Sequence, residues 1–326
     1  MSGHEVCLSL LPAVRSAESR AIDVVAFGES SLDFVGVLRA APPFAGKRQL
    51  RSFDERFGGQ AATAAVACAR QGMRARFIGS FGDDTWGDRV VGGLASEGVD
   101  VLRLTRTGAR SRIAVVLVDP SGERRIFEHR DSALTGSPDE AVMRAVSDAG
   151  LLLVDATDLA ASVQMATAAR AAGVRTVVDV DTVAPGIDAL LNLIDVIVAP
   201  APFVTSFGGR DDVGAALGQM AQRFSSAVLV ATLGESGSLA LADGRELRTP
   251  GFRVDVVDTT GAGDAFRGGL ASAWLRGGRT PDLTGILEAA NATAALNCRQ
   301  IGAQTALPTL DEVRALVTQR TLRRSN

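Results

Sequence analysis

The run Val254-Asp255-Val256-Val257-Asp258-Thr259-Thr260-Gly261-Ala262-Gly263-Asp264-Ala265-Phe266 reads as a strand, a glycine turn and the opening of a long helix, Ala265 to about Arg276. Consecutive backbone N–H groups in such a turn, reinforced by the helix dipole, bind anions. Glycine lets the backbone approach a phosphate with no Cβ in the way. Asp264 adds a carboxylate at the helix N-terminus that can accept a proton from an incoming hydroxyl. Amides beside a carboxylate suit phosphoryl transfer, where catalysis is mostly positioning and charge stabilisation. Two other phosphate motifs do not fit. The third glycine of a GxGxxG turn would fall on Phe266, and a P-loop needs Gly-Lys-Ser/Thr, whereas the one lysine of this chain is Lys47. The simpler alternative for Asp264 is a helix N-cap after a tight turn.

Outward from this run, short β-branched segments alternate with alanine-rich ones. Ile22–Gly28 reads as a buried first strand, Gln60–Gln71 as a helix closed by Gly72, Ala75–Gly79 as a strand and Trp86–Ser96 as a helix closed by Gly98. Strand signals follow at Leu151–Val154, Thr176–Val180, Val196–Val198 and Val228–Ala231, with helices at Ala160–Ala172, Asp212–Phe224 and Leu283–Cys298. The alternation predicts an α/β fold of Rossmann-like, three-layer type, a mostly parallel sheet covered by helices on both faces. Two stretches break it. Leu32–Leu38 with Arg48–Phe53, and Arg112–Val118 with Arg124–His129, carry strand signals without helices between, the second pair joined by the turn Asp119-Pro120-Ser121-Gly122. They predict a small antiparallel β lid, with strands from about 32–56 and 105–131, which can also serve as a homodimer contact. The expected organisation is a loose N-terminal extension over 1–20 and one α/β domain over 21–326.

Composition narrows the function classes. The chain is 46% hydrophobic and 22% charged with a formal net charge of −3, so no global field recruits nucleic acid or an anionic membrane. Cys7, Cys68 and Cys298 are odd in number and form no CxxC, which predicts neither a disulfide framework nor a zinc site and suits a reducing cytoplasm. The apolar patch Val6–Val14 is broken by Ser9 and Pro12, and Glu5 precedes it, unlike a secretory signal. No apolar run approaches the roughly 20 residues of a membrane span. A soluble, cytoplasmic protein is expected.

At its decisive run the chain resembles the ribokinase-like (PfkB) family of carbohydrate kinases, whose C-terminal signature is Asp-Thr-Thr-Gly-Ala-Gly-Asp. The likeness continues in Gly58-Gly59-Gln60-Ala61-Ala62-Thr63-Ala64-Ala65-Val66-Ala67, in Arg70-Gln71-Gly72 and in Gly79-Ser80-Phe81-Gly82-Asp83-Asp84, and spans about residues 22–320. It implies an ATP-dependent sugar kinase. Asp264 would take the proton of the sugar hydroxyl, and the amides of Gly261, Ala262 and Gly263 would form the anion hole. Asp33, with Gly58 and Gly59, would receive the sugar, and Asp155 would face it. Thr232-Leu233-Gly234-Glu235-Ser236-Gly237 resembles a segment that contacts ATP, so Thr232, Gly234 and Gly237 are candidate nucleotide residues, and Asn291 would border the adenine. Asp258, Thr260 and the loop at Gly302 resemble a monovalent cation site, which implies possible K⁺ dependence, and Mg²⁺ is expected on the phosphates of ATP.

Two departures from the family pattern bear on the substrate. Thr63 replaces an asparagine that bonds the sugar, and Pro200-Ala201-Pro202-Phe203 replaces the Asn-x-x-Glu motif linked to magnesium. Both, with the wording of the first glycine signature, resemble the ketohexokinase and sulfofructose-kinase branch. Lys47 and Arg112, on the two lid pairs, would meet an anionic group on the substrate if they point inward. Other constellations carry less. Gly234-Glu235-Ser236-Gly237-Ser238 misses the last glycine of a GxSxG elbow, and the two histidines, His4 and His129, lie in the extension and on the lid. A nucleoside kinase on the same fold and a catalytically silent sugar- or nucleotide-binding regulator are the alternatives. An aromatic content of 5% disfavours the first, and an intact Asp264 motif disfavours the second.

Overall fold

The structure, a computed structural model, describes residues 11–16, 18, 20–39, 49–120, 124–225 and 227–325. Its strands are β1 (Ile22–Phe27), β2 (Ser31–Leu38), β3 (Leu50–Gly58), β4 (Ala75–Gly82), β5 (Asp100–Arg106), β6 (Ile113–Val118) and β7 (Arg124–His129), then β8 (Ala149–Asp155), β9 (Arg175–Asp179), β10 (Val196–Pro200), β11 (Val228–Thr232), β12 (Ser238–Ala242) and β13 (Arg245–Thr249). Its helices are α1 (Gln60–Arg70), α2 (Thr85–Ser96), α3 (Glu140–Ser147), α4 (Leu159–Ala171) and α5 (Asp188–Leu191), then α6 (Ala201–Gly208), α7 (Val213–Arg223), α8 (Ala262–Gly277), α9 (Leu283–Asn297) and α10 (Leu310–Ser325).

The main sheet has the order β13-β12-β11-β10-β9-β8-β1-β4-β5, parallel from β5 to β11 with two antiparallel strands closing one edge. Buried apolar runs such as Leu151–Val154 mark strands covered on both faces. One face packs against α1, α2, α8 and α9, the other against α3, α4, α6 and α7. Strand order reverses between β1 and β8, where Phe27 pairs with Val154. Such a switch point opens a crevice at the carboxyl ends of the strands, the usual ligand site of an open α/β sheet.

The lid is a second sheet, ordered β3-β2-β6-β7. The two predicted strand pairs are antiparallel hairpins, and β2 joins them by pairing with β6 in parallel. Its register puts Asp33, Ala114 and Glu128 on one face, and Phe34, Val115 and Phe127 on the other. The expectation of a loose extension does not hold for its described part. Leu11 and Val14 are buried, Trp274 Nε1 donates to the carbonyl of Pro12 at 3.2 Å, and Arg15 Nη1 donates to the carbonyl of Ser147 at 2.8 Å. Tryptophan needs a buried acceptor for its N–H, and this strap supplies it.

Candidate active site

Helix α8 starts at Ala262, three residues before the sequence pattern indicates, because Gly261 adopts the left-handed conformation (φ 74°) and caps it. A Cβ on Gly261 would lie 2.6 Å from the carbonyl oxygen of Ala303, so only glycine fits this turn. The first-turn N–H groups of α8 lack intrahelical acceptors, which makes the turn an anion cradle. Of these, the N–H of Ala262 donates to the carbonyl of Thr259 at 3.2 Å.

Two clefts meet at this turn. The first, of about 440 Å³, is lined by Glu29, Asp33, Gly59, Arg112, Glu128, Arg130, Asp181 and Asp264, with Ala114, Val116 and Ile126 of the lid above. The second, of about 430 Å³, is lined by Thr232, Gly234, Gly237, Phe252, Ala262, Gly263, Phe266 and Asn291. The first opens at the β1–β8 switch point and carries most of the acids. The second is largely apolar at its far end, where Val254, Val256, Ala294 and Ala295 join Phe252.

Asp264 looks into the first cleft while Ala262 and Gly263 line the second. Burial pushes its carboxyl up to about 6, opposed by the nearby guanidinium of Arg267 and assisted by the charges of Asp181 and Asp155. Arg267 sits under the turn. Its Nη1 lies 3.9 Å from Asp264 Oδ1, and its Nη2 lies 2.5 Å from Oδ1 of Asp179, at the end of β9. Both partners are almost fully enclosed, with 4% and 1% of their side chains exposed. Burial holds the Asp179 carboxyl well above the ordinary range despite Arg267.

Asp33 faces the cleft from β2. Its carboxyl is pushed up to about 6 by burial, against the hydrogen bond from Ser31 Oγ at 2.6 Å and with the charge of Glu128 adding to the rise. Gly58, at the end of β3 opposite Ser31, leaves it room, since a Cβ there would stand 2.2 Å from Asp33 Oδ2. Two expected sugar residues do not reach the cleft. Asp155 is wholly buried behind the wall, where it accepts from the N–H groups of Glu29 (2.7 Å) and Thr157 (2.9 Å). It shapes the switch-point turn. Thr63, on the buried face of α1, spends its hydroxyl on Gln304 Nε2 at 3.2 Å. Lys47 lies outside the described residues. Arg112 does point into the cleft, but it ion-pairs with Glu29 and Glu128, so its charge is matched from both sides.

In the second cleft Asn291 donates from Nδ2 to Ser238 Oγ (3.0 Å) and to the carbonyl of Thr249 (3.4 Å), which fixes its amide on the wall. Thr232, Gly234 and Gly237 form the opposite rim. The stretch Pro200–Phe203 opens α6 with a proline in its first turn and offers no carboxylate. Among the described residues no cluster of three metal-binding side chains occurs.

The residues expected to hold a monovalent cation do come together, and each is already hydrogen-bonded. Asp258 Oδ1 accepts from the N–H (2.9 Å) and the hydroxyl (2.7 Å) of Thr260, and Oδ2 accepts from the N–H of Gly302 (2.8 Å). The carbonyls of Thr260 and Ala303 accept from Asn297 Nδ2 at 3.3 and 3.0 Å. Arg124, from the lid, donates to Thr259 Oγ1 at 3.1 Å and to Thr260 Oγ1, and approaches Asp258 Oδ1 to 3.7 Å. A cation placed among these atoms would meet a guanidinium and an amide N–H₂, so K⁺ does not fit this loop.

Sequence reasoning missed Glu29, Arg124, Asp179, Asn297 and Arg267. Two carried a signal. Asp179 ends an apolar strand, and Arg267 interrupts the apolar face Phe266–Leu270, places where a charge needs a buried partner.

A twisted α/β sheet with a lid, an anion cradle at a helix N-terminus and a carboxylate between two clefts defines a phosphotransferase of small molecules. The chain matches the model of the pfkB family of carbohydrate kinases over residues 21–310, and it belongs to that family. It is 30% identical to the ATP-dependent ribose-1-phosphate kinase of Halopiger xanaduensis, covering 92% of this chain and 99% of that one. It is also 30% identical to fructokinase-2 of Zea mays, over 91% and 94% of the two chains. The crystal structure of a provisionally named ribokinase from Agrobacterium tumefaciens superposes with a TM-score of 0.87 at 28% identity, covering 93% and 99%. The chain is thus an ATP-dependent sugar kinase.

Proposed function

We propose that this kinase phosphorylates a neutral ketose or related sugar, held in the first cleft with ATP in the second. The carrying observation is the position of Asp264, whose carboxylate faces one cleft while the amides one and two residues before it face the other. The sugar hydroxyl would lie against Asp264 and the γ-phosphate over the turn at Gly261, Ala262 and Gly263. Asp264 takes the hydroxyl proton as the oxygen attacks phosphorus in line, and the P–O bond to ADP breaks on the opposite side. A base lifted to about 6 is stronger than an ordinary carboxylate and still ionised at neutral pH. The turn amides stabilise the charge on the transferring group. Mg²⁺, carried on ATP, would neutralise phosphate charge, and the lid would exclude water as a competing acceptor.

The neutrality of the acceptor follows from the cleft. Glu29, Asp33, Glu128, Asp181 and Asp264 face it, against Arg112 and Arg130, and Arg112 is already paired with two of those acids. Carboxylates accept from sugar hydroxyls and repel a phosphate or sulfonate. The first glycine signature supports a ketohexokinase-like acceptor. A nucleoside is less suited, because the lid presents Ala114, Val116 and Ile126 to the cleft and no described aromatic ring. ADP release with Mg-ATP over a panel of fructose, ribose, their phosphates, a sulfonated ketose and nucleosides tests the reading. A neutral ketose should give the highest kcat/KM, and preference for an anionic acceptor would refute it.

The outer lid face suggests a homodimer. Phe53, Val115 and Phe127 are exposed there beside Phe34, which stacks on Phe53 at 6.1 Å. Contiguous exposed apolar surface marks an interface. Light scattering should give a dimer that Phe127→Arg dissociates, and a monomeric wild-type protein would end the idea. Buried, unpaired Cys68 and Cys298 and the need for ATP suit the cytoplasm.

A further inference from the structure

We propose that the phosphate-binding turn of this kinase is organised by the lid residue Arg124 in place of a monovalent cation, so that the enzyme works without K⁺ and its anion hole is completed by lid docking. The inference rests on the kinase reading for its activity assays alone.

The loop that could receive a cation is a small polar knot between Asp258, Thr260 and Gly302, in which both oxygens of Asp258 and the carbonyls of Thr260 and Ala303 each have a donor. Asp258 is bonded by three N–H or O–H groups of the loop itself. Asn297, fully buried, gives its Nδ2 to the carbonyls of Thr260 and Ala303. Reversing that amide would set Oδ1 against two carbonyl oxygens, so the donor must face the knot. A cation there would have to displace the amide. One charge is left to balance, the Asp258 carboxylate, with 5% of its side chain exposed. The guanidinium of Arg124 supplies it from 3.7 Å, while its two ends hold the hydroxyls of Thr259 and Thr260. A planar fork bonding two neighbouring hydroxyls fixes the direction of the turn as well as its charge.

The arrangement also ties the cradle to the lid. Arg124 opens β7, and Ile301 of the knot packs on Val35, Ala114, Val116 and Val118, the inward residues of the lid sheet. Gly302 is crowded by the lid from a second strand, for a Cβ there would come within 3.1 Å of Arg56 Cδ. With the lid down, Thr259 and Thr260 are pinned immediately before the amides that receive the phosphate. With the lid lifted, Asp258 loses its counter-charge and the turn loses two bonds. A soluble cation makes the cradle permanent, whereas a lid arginine makes it conditional on closure over substrate.

The test compares wild type, Arg124→Ala and Arg124→Lys in potassium chloride and in tetramethylammonium chloride at matched ionic strength. Wild-type ADP release should agree between the two salts within about twofold, since a cation that does not bind the folded state cannot shift it. Arg124→Ala should lose about tenfold or more in kcat/KM in tetramethylammonium, the scale of losing a charged transition-state support. Guanidinium at low millimolar concentration should restore part of that loss, and Arg124→Lys should fall between. Clear activation of wild type by K⁺, or full activity of Arg124→Ala in tetramethylammonium, overturns the proposal. A second readout needs no turnover. The wild-type melting temperature should be the same in both salts, and a K⁺-specific rise would show a bound cation and overturn the proposal even if every acceptor failed. Failure of all acceptors with equal melting temperatures would count against the sugar reading and leave this inference standing.

Discussion

Arg267→Met should move the acid limb of the kcat/KM profile to higher pH. The guanidinium lies 3.9 Å from Asp264 Oδ1 and favours its ionised form. Two unit charges at that separation attract by about 1 kcal/mol in water and about 4 kcal/mol at an effective dielectric near 20. At 1.36 kcal/mol per unit, that is a shift of roughly one to three pH units. The lower end applies, because 17% of the Asp264 side chain is exposed and solvent screens the pair. Asp264 starts from about 6, so the limb should move to about 7 or above. Because the base must be deprotonated, activity at pH 6.5 should fall more than activity at pH 8.5. Initial rates of ADP release across pH would show it. Stability is a confounder, since breaking a buried ion pair costs about 3–5 kcal/mol when the partner stays charged. The double variant Arg267→Met with Asp179→Asn leaves no bare acid and should fold better, while its limb still departs from wild type. An acid limb that stays in place in both variants, with folded protein, would show that Arg267 does not govern the ionisation of Asp264.

Gly28→Ala should cost about 2–4 kcal/mol in urea unfolding, because its Cβ would fall 2.1 Å from Asp155 Oδ2 in a backbone of φ 147°; near-wild-type stability would show that the switch-point turn is not so tightly held. Asp33→Ala should raise KM for the sugar about tenfold or more with a smaller change in kcat, as loss of a ground-state contact does, and an unchanged KM would remove Asp33 from the sugar site. The substrate-free protein should melt at higher temperature at pH 5.5 than at pH 7.5. Asp33, Asp155 and Asp264 are each raised to about 6 from 3.8. The folded state therefore binds the extra protons between those values, and stability present at lower pH is lost as pH rises through about 6. A higher melting temperature at pH 7.5 would contradict these assignments.

The fold was legible because its signals are local. The alternation of buried strands with alanine-rich helices, and the run Asp258–Asp264, each lie within a few turns of chain and place the sheet, the lid and the cradle. The start of α8 was misjudged by three residues, since the left-handed cap at Gly261 depends on the approach of Ala303 from elsewhere. The site was legible only where a motif marks it. Arg124 meets Thr260 across 136 positions, Glu29 meets Asp155 across 126, and Gln304 meets Thr63 across 241. No periodicity encodes such pairings. Thr63 and Asp155 carry the converse lesson, for each stands near a motif while the burial of its own face sets it in the wall.

The central claim is that Asp264 removes the proton of the acceptor hydroxyl at a preformed phosphate cradle. Asp264→Asn keeps the shape of the side chain and removes the base, so the decisive measurement is single-turnover transfer from γ-labelled ATP beside calorimetric ATP affinity. The account predicts transfer slowed by two or more orders of magnitude with ATP affinity within a few-fold of wild type. Transfer at near-wild-type rate in Asp264→Asn would contradict it.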